Sequence, residues 1–312
     1  MSILEKPLIV SSSPHAHTDR TVTQVMGDVL IALVPATIAG VYYFGYWALL
    51  IMVVSVLYAV GAEALTQLAM KRPVTSFDLS AAVTGLLVAF NLPPTAPLWL
   101  PMIGSVFAVV IVKQIFGGLG NNFLNPALAA RAMLLVSFAK PMTTWIDPAI
   151  DAIASATPLA QMAEGTMPQL ANLFFGNVAG CIGETSALAL LIGAAYLLIR
   201  GVISWRIPVA FIGTFAVLTA IFGGMDQVLP QLFAGGLMLG AFFMATDYVT
   251  SPVTPVGRLI FGFGCGLLTF IIRRYGGYPE GVSFAILLMN VCTPLIERYT
   301  KPRVFGEVKS RA

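Results

Sequence analysis

Three small clusters of polar side chains interrupt an otherwise apolar chain. Asn122 and Asn125 lie three apart, the spacing of one helix face, and each amide both donates and accepts hydrogen bonds. Together they match the alternating carbonyl and N–H edge of an isoalloxazine; the ordinary alternative is hydrogen bonding between helices. Asp247 is flanked by Thr246, Thr250 and Ser251, and a carboxylate with hydroxyls suits sodium or flavin hydroxyls. At a membrane surface the same aspartate would only cap a loop. Ser155 and Thr157 offer hydroxyls ahead of Pro158. That proline discourages helical geometry at Thr157 and predicts an extended segment with an exposed hydroxyl open to a modifying enzyme. Capping of the turn before Leu159 is the plainer use of both hydroxyls.

The other candidates carry less chemistry. Asp28 and Glu184 stand where two helices are expected to begin, a place where the helix dipole favours a carboxylate. Glu63 and Lys113 fall near inner helix ends and are expected to snorkel to water. His15 and His17 suit a docked polar tail better than a proton shuttle. Cys181, Cys265 and Cys292 lack paired spacing and read as packed helix residues, so no metal site and no iron–sulfur cluster held by this chain alone is expected. Gly117-Gly118-Leu119-Gly120 is followed by Asn, which supports neither a P-loop nor a dinucleotide-binding turn. No basic patch is interleaved with aromatics, so nucleic acid is not an expected partner. No catalytic residue is assigned.

These groups must be positioned inside a lipid bilayer. Of 312 residues, 58% are hydrophobic and 10% are charged, whereas roughly a quarter are charged in soluble domains. Ten apolar windows, 27–44, 47–69, 78–92, 98–116, 123–139, 178–199, 204–223, 228–246, 257–272 and 279–297, predict an all-α integral membrane protein of about ten transmembrane helices. The first 26 residues hold no signal-peptide core. With the N-terminus inside, fourteen Lys and Arg, including Lys113, Arg131, Arg200 and Arg206, fall on inner segments, and only Lys140, Arg273 and Arg274 fall outside. Both termini are therefore expected in the cytoplasm.

The predicted organisation is a tail at 1–26, a five-helix repeat at 27–139, an outer-face loop at 140–177, a second five-helix repeat at 178–297 and a tail at 298–312. The duplication rests on three pairs. Met26-Gly27-Asp28 matches Ile182-Gly183-Glu184 at an offset of 156. Phe90-Asn91-Leu92-Pro93 matches Val249-Thr250-Ser251-Pro252, and Phe116-Gly117-Gly118 matches Tyr275-Gly276-Gly277, both at 159. An odd helix count makes the second copy inverted. Such repeats place sites near the bilayer midplane at broken helices, here at Asn91-Leu92-Pro93-Pro94 and after Asp247. Inverted repeats of this kind also describe solute channels and secondary transporters, which is the rival reading.

Asp151-Ala152-Ile153-Ala154-Ser155-Ala156-Thr157 resembles the site at which membrane redox subunits carry FMN joined through its phosphate to threonine, Asp-x-x-Ser/Thr-Gly-Ala-Thr. Ala154 and Ser155 depart from that pattern. Gly120-Asn121-Asn122-Phe123-Leu124-Asn125-Pro126-Ala127 and Phe242-Phe243-Met244-Ala245-Thr246-Asp247-Tyr248-Val249-Thr250-Ser251-Pro252 are similar to signatures of the family of the D subunit of the bacterial Rnf complex. The B subunit of the sodium-translocating NADH:quinone oxidoreductase has similar segments, and Ser13-Pro14-His15 and Phe77-Asp78-Leu79-Ser80 extend the likeness along the chain. The resemblance implies a multi-pass subunit in the bacterial inner membrane. It would relay electrons between ferredoxin and NAD, coupled to sodium or proton movement. Its implied cofactors are covalent FMN on Thr157 at the outer face and non-covalent riboflavin towards the cytoplasmic half. Its implied partners are an outer-face FMN subunit, a cytoplasmic NAD-reducing subunit, a ferredoxin-accepting iron–sulfur subunit and two further membrane subunits.

Overall fold

The computed structural model of the chain describes residues 20–147, 152–153, 156–276 and 280–301. Ser155, Asp151, the histidines of the N-terminal tail and residues 302–312 of the C-terminal tail lie outside the described residues, while 298–300 continue the last helix. Each of the ten apolar windows contains helix. The first two are joined in α1 (Val22–Ala69), 48 residues that begin at Thr21. The Thr21 hydroxyl accepts from the Gln24 amide while the Gln24 side chain accepts from the Thr21 amide, a reciprocal cap that starts the helix within the predicted tail. A straight helix of that length would run about 72 Å, more than twice a hydrocarbon core of about 30 Å. Gly45, at φ 72° and ψ −163°, breaks it and returns the chain; this left-handed geometry favours glycine.

Among the described residues the remaining helices of six residues or more are α2 (Ser80–Phe90), α3 (Trp99–Gln114), α4 (Pro126–Ser137), α5 (Pro158–Ala163), α6 (Leu170–Phe175), α7 (Ala187–Ile199), α8 (Arg206–Gly223), α9 (Met225–Phe233), α10 (Leu237–Met244), α11 (Pro255–Tyr275) and α12 (Val282–Thr300). Among the described residues, four helices, α1, α8, α11 and α12, are long and apolar enough to cross a membrane, and α9 with α10, bent by 70°, makes a fifth if the pair is one span. Helices α2, α4 and α7 have 11, 12 and 13 residues. At about 1.5 Å per residue they reach only part way through a bilayer. In the loop at 140–177, a two-residue antiparallel pairing of Ile146–Asp147 with Ala152–Ile153 accompanies α5 and α6.

The burial pattern is that of a protein dissolved in lipid. Leu57, Leu65 and Ile221 are 65%, 69% and 68% exposed, while Glu63, Lys113, Gln114 and Arg131 are buried, the reverse of a soluble domain. Contacts are closest where small residues allow them. A Cβ on Gly85 would lie 2.8 Å from the Ser55 carbonyl oxygen, and the Ser55 hydroxyl donates to the Gly85 carbonyl at 2.6 Å. Half-length α2 and α7 meet end to end through their flanking chain. The Ile182 amide donates to the Leu92 carbonyl and the Gly183 amide to the Phe90 carbonyl, both at 3.0 Å. A Cβ on Gly183 would stand 2.4 Å from that of Phe90, so a glycine is required there.

Candidate functional site

A cleft of about 780 Å³, its open mouth included, lies between the start of α1, α2, the end of α3, the start of α4 and the chain after α10. Asn122, Asn125, Thr246 and Asp247 all line it, together with Phe242, Phe243, Ser80 and Lys113. The sequence therefore identified four residues that share one site. The expected helix face is not how they meet. Asn122 precedes α4, and Asn125 is its N-cap, with Oδ1 accepting from the Ala127 and Leu128 amides at 3.1 and 3.3 Å. Pro126 is the cause: it fits the first helical position and holds the preceding residue extended. Asn125 Nδ2 donates to the Met244 carbonyl at 3.2 Å, so that amide ties α4 to α10. Asn122 Nδ2 donates to the Leu124 carbonyl at 3.2 Å, and its amide oxygen accepts no bond among the described residues.

Asp247 is half-buried. The Thr250 hydroxyl donates to its Oδ2 at 3.0 Å and the Ser251 hydroxyl to its carbonyl at 2.6 Å. Thr246 turns its own hydroxyl back to the Phe242 carbonyl at 2.6 Å.

Behind the cleft, Glu63 and Lys113 do not snorkel to water. Lys113 Nζ stands 2.6 Å from Glu63 Oε1, the side chains being 2% and 1% exposed. Gln114 Nε2 donates to the same oxygen at 2.7 Å. The last turns of α3 have π-helical bonding, often a mark of functional sites, and two consecutive residues there reach one carboxylate. Nor is Asp28 at a helix start. It lies within α1, where it accepts from the Tyr196 hydroxyl at 2.9 Å and pairs with Arg200 at 3.3 Å.

Sequence reasoning missed a second buried centre. Arg131, an inner-face positive charge in the predicted topology, lies mid-way along α4 and is 5% exposed. One terminal nitrogen donates to Asn91 Oδ1 and Glu184 Oε1, each at 2.7 Å. The other donates to Glu280 and lies 3.8 Å from Cys181 Sγ. Cys181 is in the turn before α7 rather than in a helix, and its thiol donates to the Asn91 carbonyl at 3.4 Å. Cys181, Glu184 and Glu280 offer atoms within 4.8 Å of one another, but the guanidinium occupies their centre. The available signal was an arginine inside an apolar window, a position at which ionisable groups deserve an assigned role.

At the opposite end, Thr157 has the expected extended backbone, φ −62° and ψ 155°. Its hydroxyl is not exposed as expected: the residue is 7% exposed and Oγ1 caps α5 by accepting from the Ala160 amide at 3.3 Å. The cap is the local reason, since Pro158 starts a helix whose first amides need an acceptor. A second cleft, of about 840 Å³ with its mouth, lies beside α5 and is lined by Leu159, Met162, Gln227, Gln231, Arg273 and Arg274. Arg273 donates to the carbonyls of Gln231 and Ala234 at 2.7 and 3.1 Å and lies over the Phe215 ring at 5.0 Å.

The model of the NQR2, RnfD, RnfE family matches residues 9–306. The D subunit of the Na(+)-translocating ferredoxin:NAD(+) oxidoreductase complex of Acetobacterium woodii is 54% identical, over 98% of this chain and 97% of that one. The D subunit of the proton-translocating ferredoxin:NAD(+) oxidoreductase complex of Clostridium ljungdahlii is 43% identical, over 95% and 96%. That of the ion-translocating oxidoreductase complex of Halorhodospira halophila is 38% identical, over 96% and 95%. The match spans both clefts and the Arg131 centre, and the chain belongs to the NQR2, RnfD, RnfE family.

Proposed function

We propose that this chain is the membrane-embedded flavin subunit of an Rnf-type complex, relaying electrons between ferredoxin and NAD with coupled sodium or proton translocation. The observation that carries the reading is the convergence of Asn122, Asn125, Thr246 and Asp247 on one aromatic-walled cleft. Riboflavin suits it: Phe242 and Phe243 offer ring contacts, Asn122 an open amide oxygen, and Asp247 an acceptor for hydroxyls. FMN is assigned to Thr157 through a phosphate ester, with Arg273 and Arg274 in the neighbouring cleft as positive charge for the phosphate. Because Oγ1 caps α5, attachment requires the turn at 156–158 to open first. A bound flavin supplies electron transfer; this chain supplies position, low dielectric and hydrogen bonds.

The proposed architecture is ten spans in two inverted five-helix repeats, with both termini cytoplasmic, the cleft of Asn122 on the inner side and the loop at 140–177 on the outer side of the bacterial inner membrane. The two clefts group residues as that alternation requires. The proposed partners are the outer-face FMN subunit, the cytoplasmic NAD-reducing subunit, the ferredoxin-accepting iron–sulfur subunit and two further membrane subunits. A solute channel is disfavoured by the hydrogen-bonded crossing of 90–92 with 182–183 and by the Arg131 centre, which fill the protein between the clefts.

The test is a denaturing gel of the complex produced together with its flavin transferase. This chain's band should fluoresce, Thr157→Ala should abolish that signal, and Asn122→Leu should lower the acid-extractable flavin alone. A dark band from the native assembly would refute the FMN assignment.

A further inference from the structure

The cleft is connected to the protein surface by a chain of short hydrogen bonds that the electron-relay reading does not use. Asp78 lies in the turn before α2, half-buried beside Phe77, which is 87% exposed. Its Oδ1 accepts from the Ser80 hydroxyl at 2.5 Å and from the Ser80 amide at 2.8 Å. Ser80 Oγ accepts in turn from Lys113 Nζ at 2.6 Å, and Lys113 is paired with Glu63 at 2.6 Å. Ser80 and Lys113 both line the cleft. Surface carboxylate, hydroxyl and ammonium thus stand in hydrogen-bonded sequence from solvent to site.

Two features distinguish this from an ion pair kept for packing. An ammonium has three N–H donors; Ser80 and Glu63 take two, and among the described residues the third has no protein acceptor. Glu63 Oε2, although buried, also has no partner among the described residues. The backbone makes a costly conformation to hold the chain: Leu79, between Asp78 and Ser80, is left-handed at φ 65°, uncommon for a bulky side chain, and this turns the Asp78 carboxylate back onto Ser80.

We propose that Asp78, Ser80 and Lys113 form a proton path from the surface into the cleft, with Lys113 as the final donor to an acceptor atom that gains negative charge there. The inference rests on the relay reading, which supplies the one-electron donor. An electron placed in a low-dielectric site strongly favours uptake of a cation. Lys113 gives one N–H proton to that atom and becomes a neutral amine. The Ser80 hydroxyl then passes its proton to the amine while taking one that water delivers through the Asp78 carboxylate, which ends as it began. One electron and one proton enter, and the charge of the site is restored. The charged groups that face Lys113 are Glu63 from α1, Asp78 by way of Ser80 from the turn before α2, and Asp247 across the cleft from the chain after α10. Arg131, the cation of neighbouring α4, is turned away into its own carboxylates.

The experiment uses the assembled complex, reduced anaerobically in weakly buffered solution with a pH-indicator dye, with flavin absorbance followed in parallel. Wild type should take up protons as the non-covalent flavin is reduced, more slowly in deuterium oxide. Asp78→Asn, outside the cleft lining, should slow that uptake by about 10²-fold, the lower end of what a positioned acid contributes, with flavin content unchanged, and Ser80→Ala should slow the uptake per bound flavin to a similar degree. Ser80→Thr, which keeps the hydroxyl, should restore it. Non-covalent flavin present and reduced with the same proton uptake in all variants would overturn the path and leave the relay standing. Absence of non-covalent flavin from the wild-type complex would overturn the relay reading and the path with it.

Discussion

Arg131 and Lys113 are two buried cations on adjacent helices, and they are used in opposite ways. Both terminal nitrogens of Arg131 are engaged by partners drawn from the end of α2, the turn before α7 and the chain before α12. Lys113 retains a donor, its carboxylate partner retains an oxygen, and both stand behind a cleft. A buried charge whose terminal nitrogens are both held by fixed partners serves to hold elements together. One with capacity left over can act on something that arrives. The planar fork of Arg suits the first task and the compact, titratable ammonium of Lys the second.

The sharpest way to break this contrast is at Arg131. Arg131→Met leaves Glu184 and Glu280 without their cation in a protein interior, which costs about 3–5 kcal/mol and unfastens the crossing of 90–92 with 182–183. Thermal unfolding of the purified complex should show the loss of this subunit at a markedly lower temperature. Arg131→Lys should recover only part of it, because one ammonium nitrogen cannot span acceptors that are divided between the two terminal nitrogens of the guanidinium. A methionine variant as stable as wild type would refute the clamp.

The next largest effect separates stability from chemistry at Lys113. Lys113→Met alone strands Glu63 and should destabilise by a similar amount. Lys113→Met with Glu63→Leu removes both charges, and replacing a buried pair by apolar side chains of similar volume is often neutral or stabilising. The double variant should therefore unfold within about 1 kcal/mol of wild type and still lack reduction-linked proton uptake. Wild-type uptake in that folded double variant would reduce Lys113 to a second, smaller clamp.

The contrast also explains what could be read from the sequence. Apolar windows found every major helix, and Pro126 and Gly45 mark boundaries through local geometry that proline and glycine impose. The cleft was legible because Asn122, Asn125, Thr246 and Asp247 fall in two compact segments whose side chains are out of place in hydrocarbon. Their manner of meeting was not, since helix periodicity was extended back past Pro126 to residues that lie outside α4. The Arg131 centre was invisible for another reason. Asn91, Arg131, Glu184 and Glu280 are separated by 40, 53 and 96 positions, and no spacing rule joins residues brought together only by the meeting of half-length helices. Glu63 and Lys113 failed similarly: proximity to a helix end implies access to water only if no neighbour covers that end.

The smallest effect is expected from the third ion pair. Arg200 stands 3.3 Å from Asp28, but its side chain is 53% exposed, and the Tyr196 hydroxyl donates to the same carboxylate at 2.9 Å. Water can replace the guanidinium, and Asp28 keeps a donor when it leaves. Arg200→Ala should cost no more than about 1 kcal/mol, the range of exposed pairs. The cost should shrink further between 0.1 M and 1 M salt, as the screening length falls from about 10 Å to about 3 Å. Arg131→Met should be insensitive to the same change, because its partners are shielded from solvent ions. Unfolding temperatures measured for both variants at the two salt concentrations therefore test whether burial, rather than the mere presence of opposite charges, sets the strength of each contact. A large, salt-independent loss in Arg200→Ala would contradict that ordering.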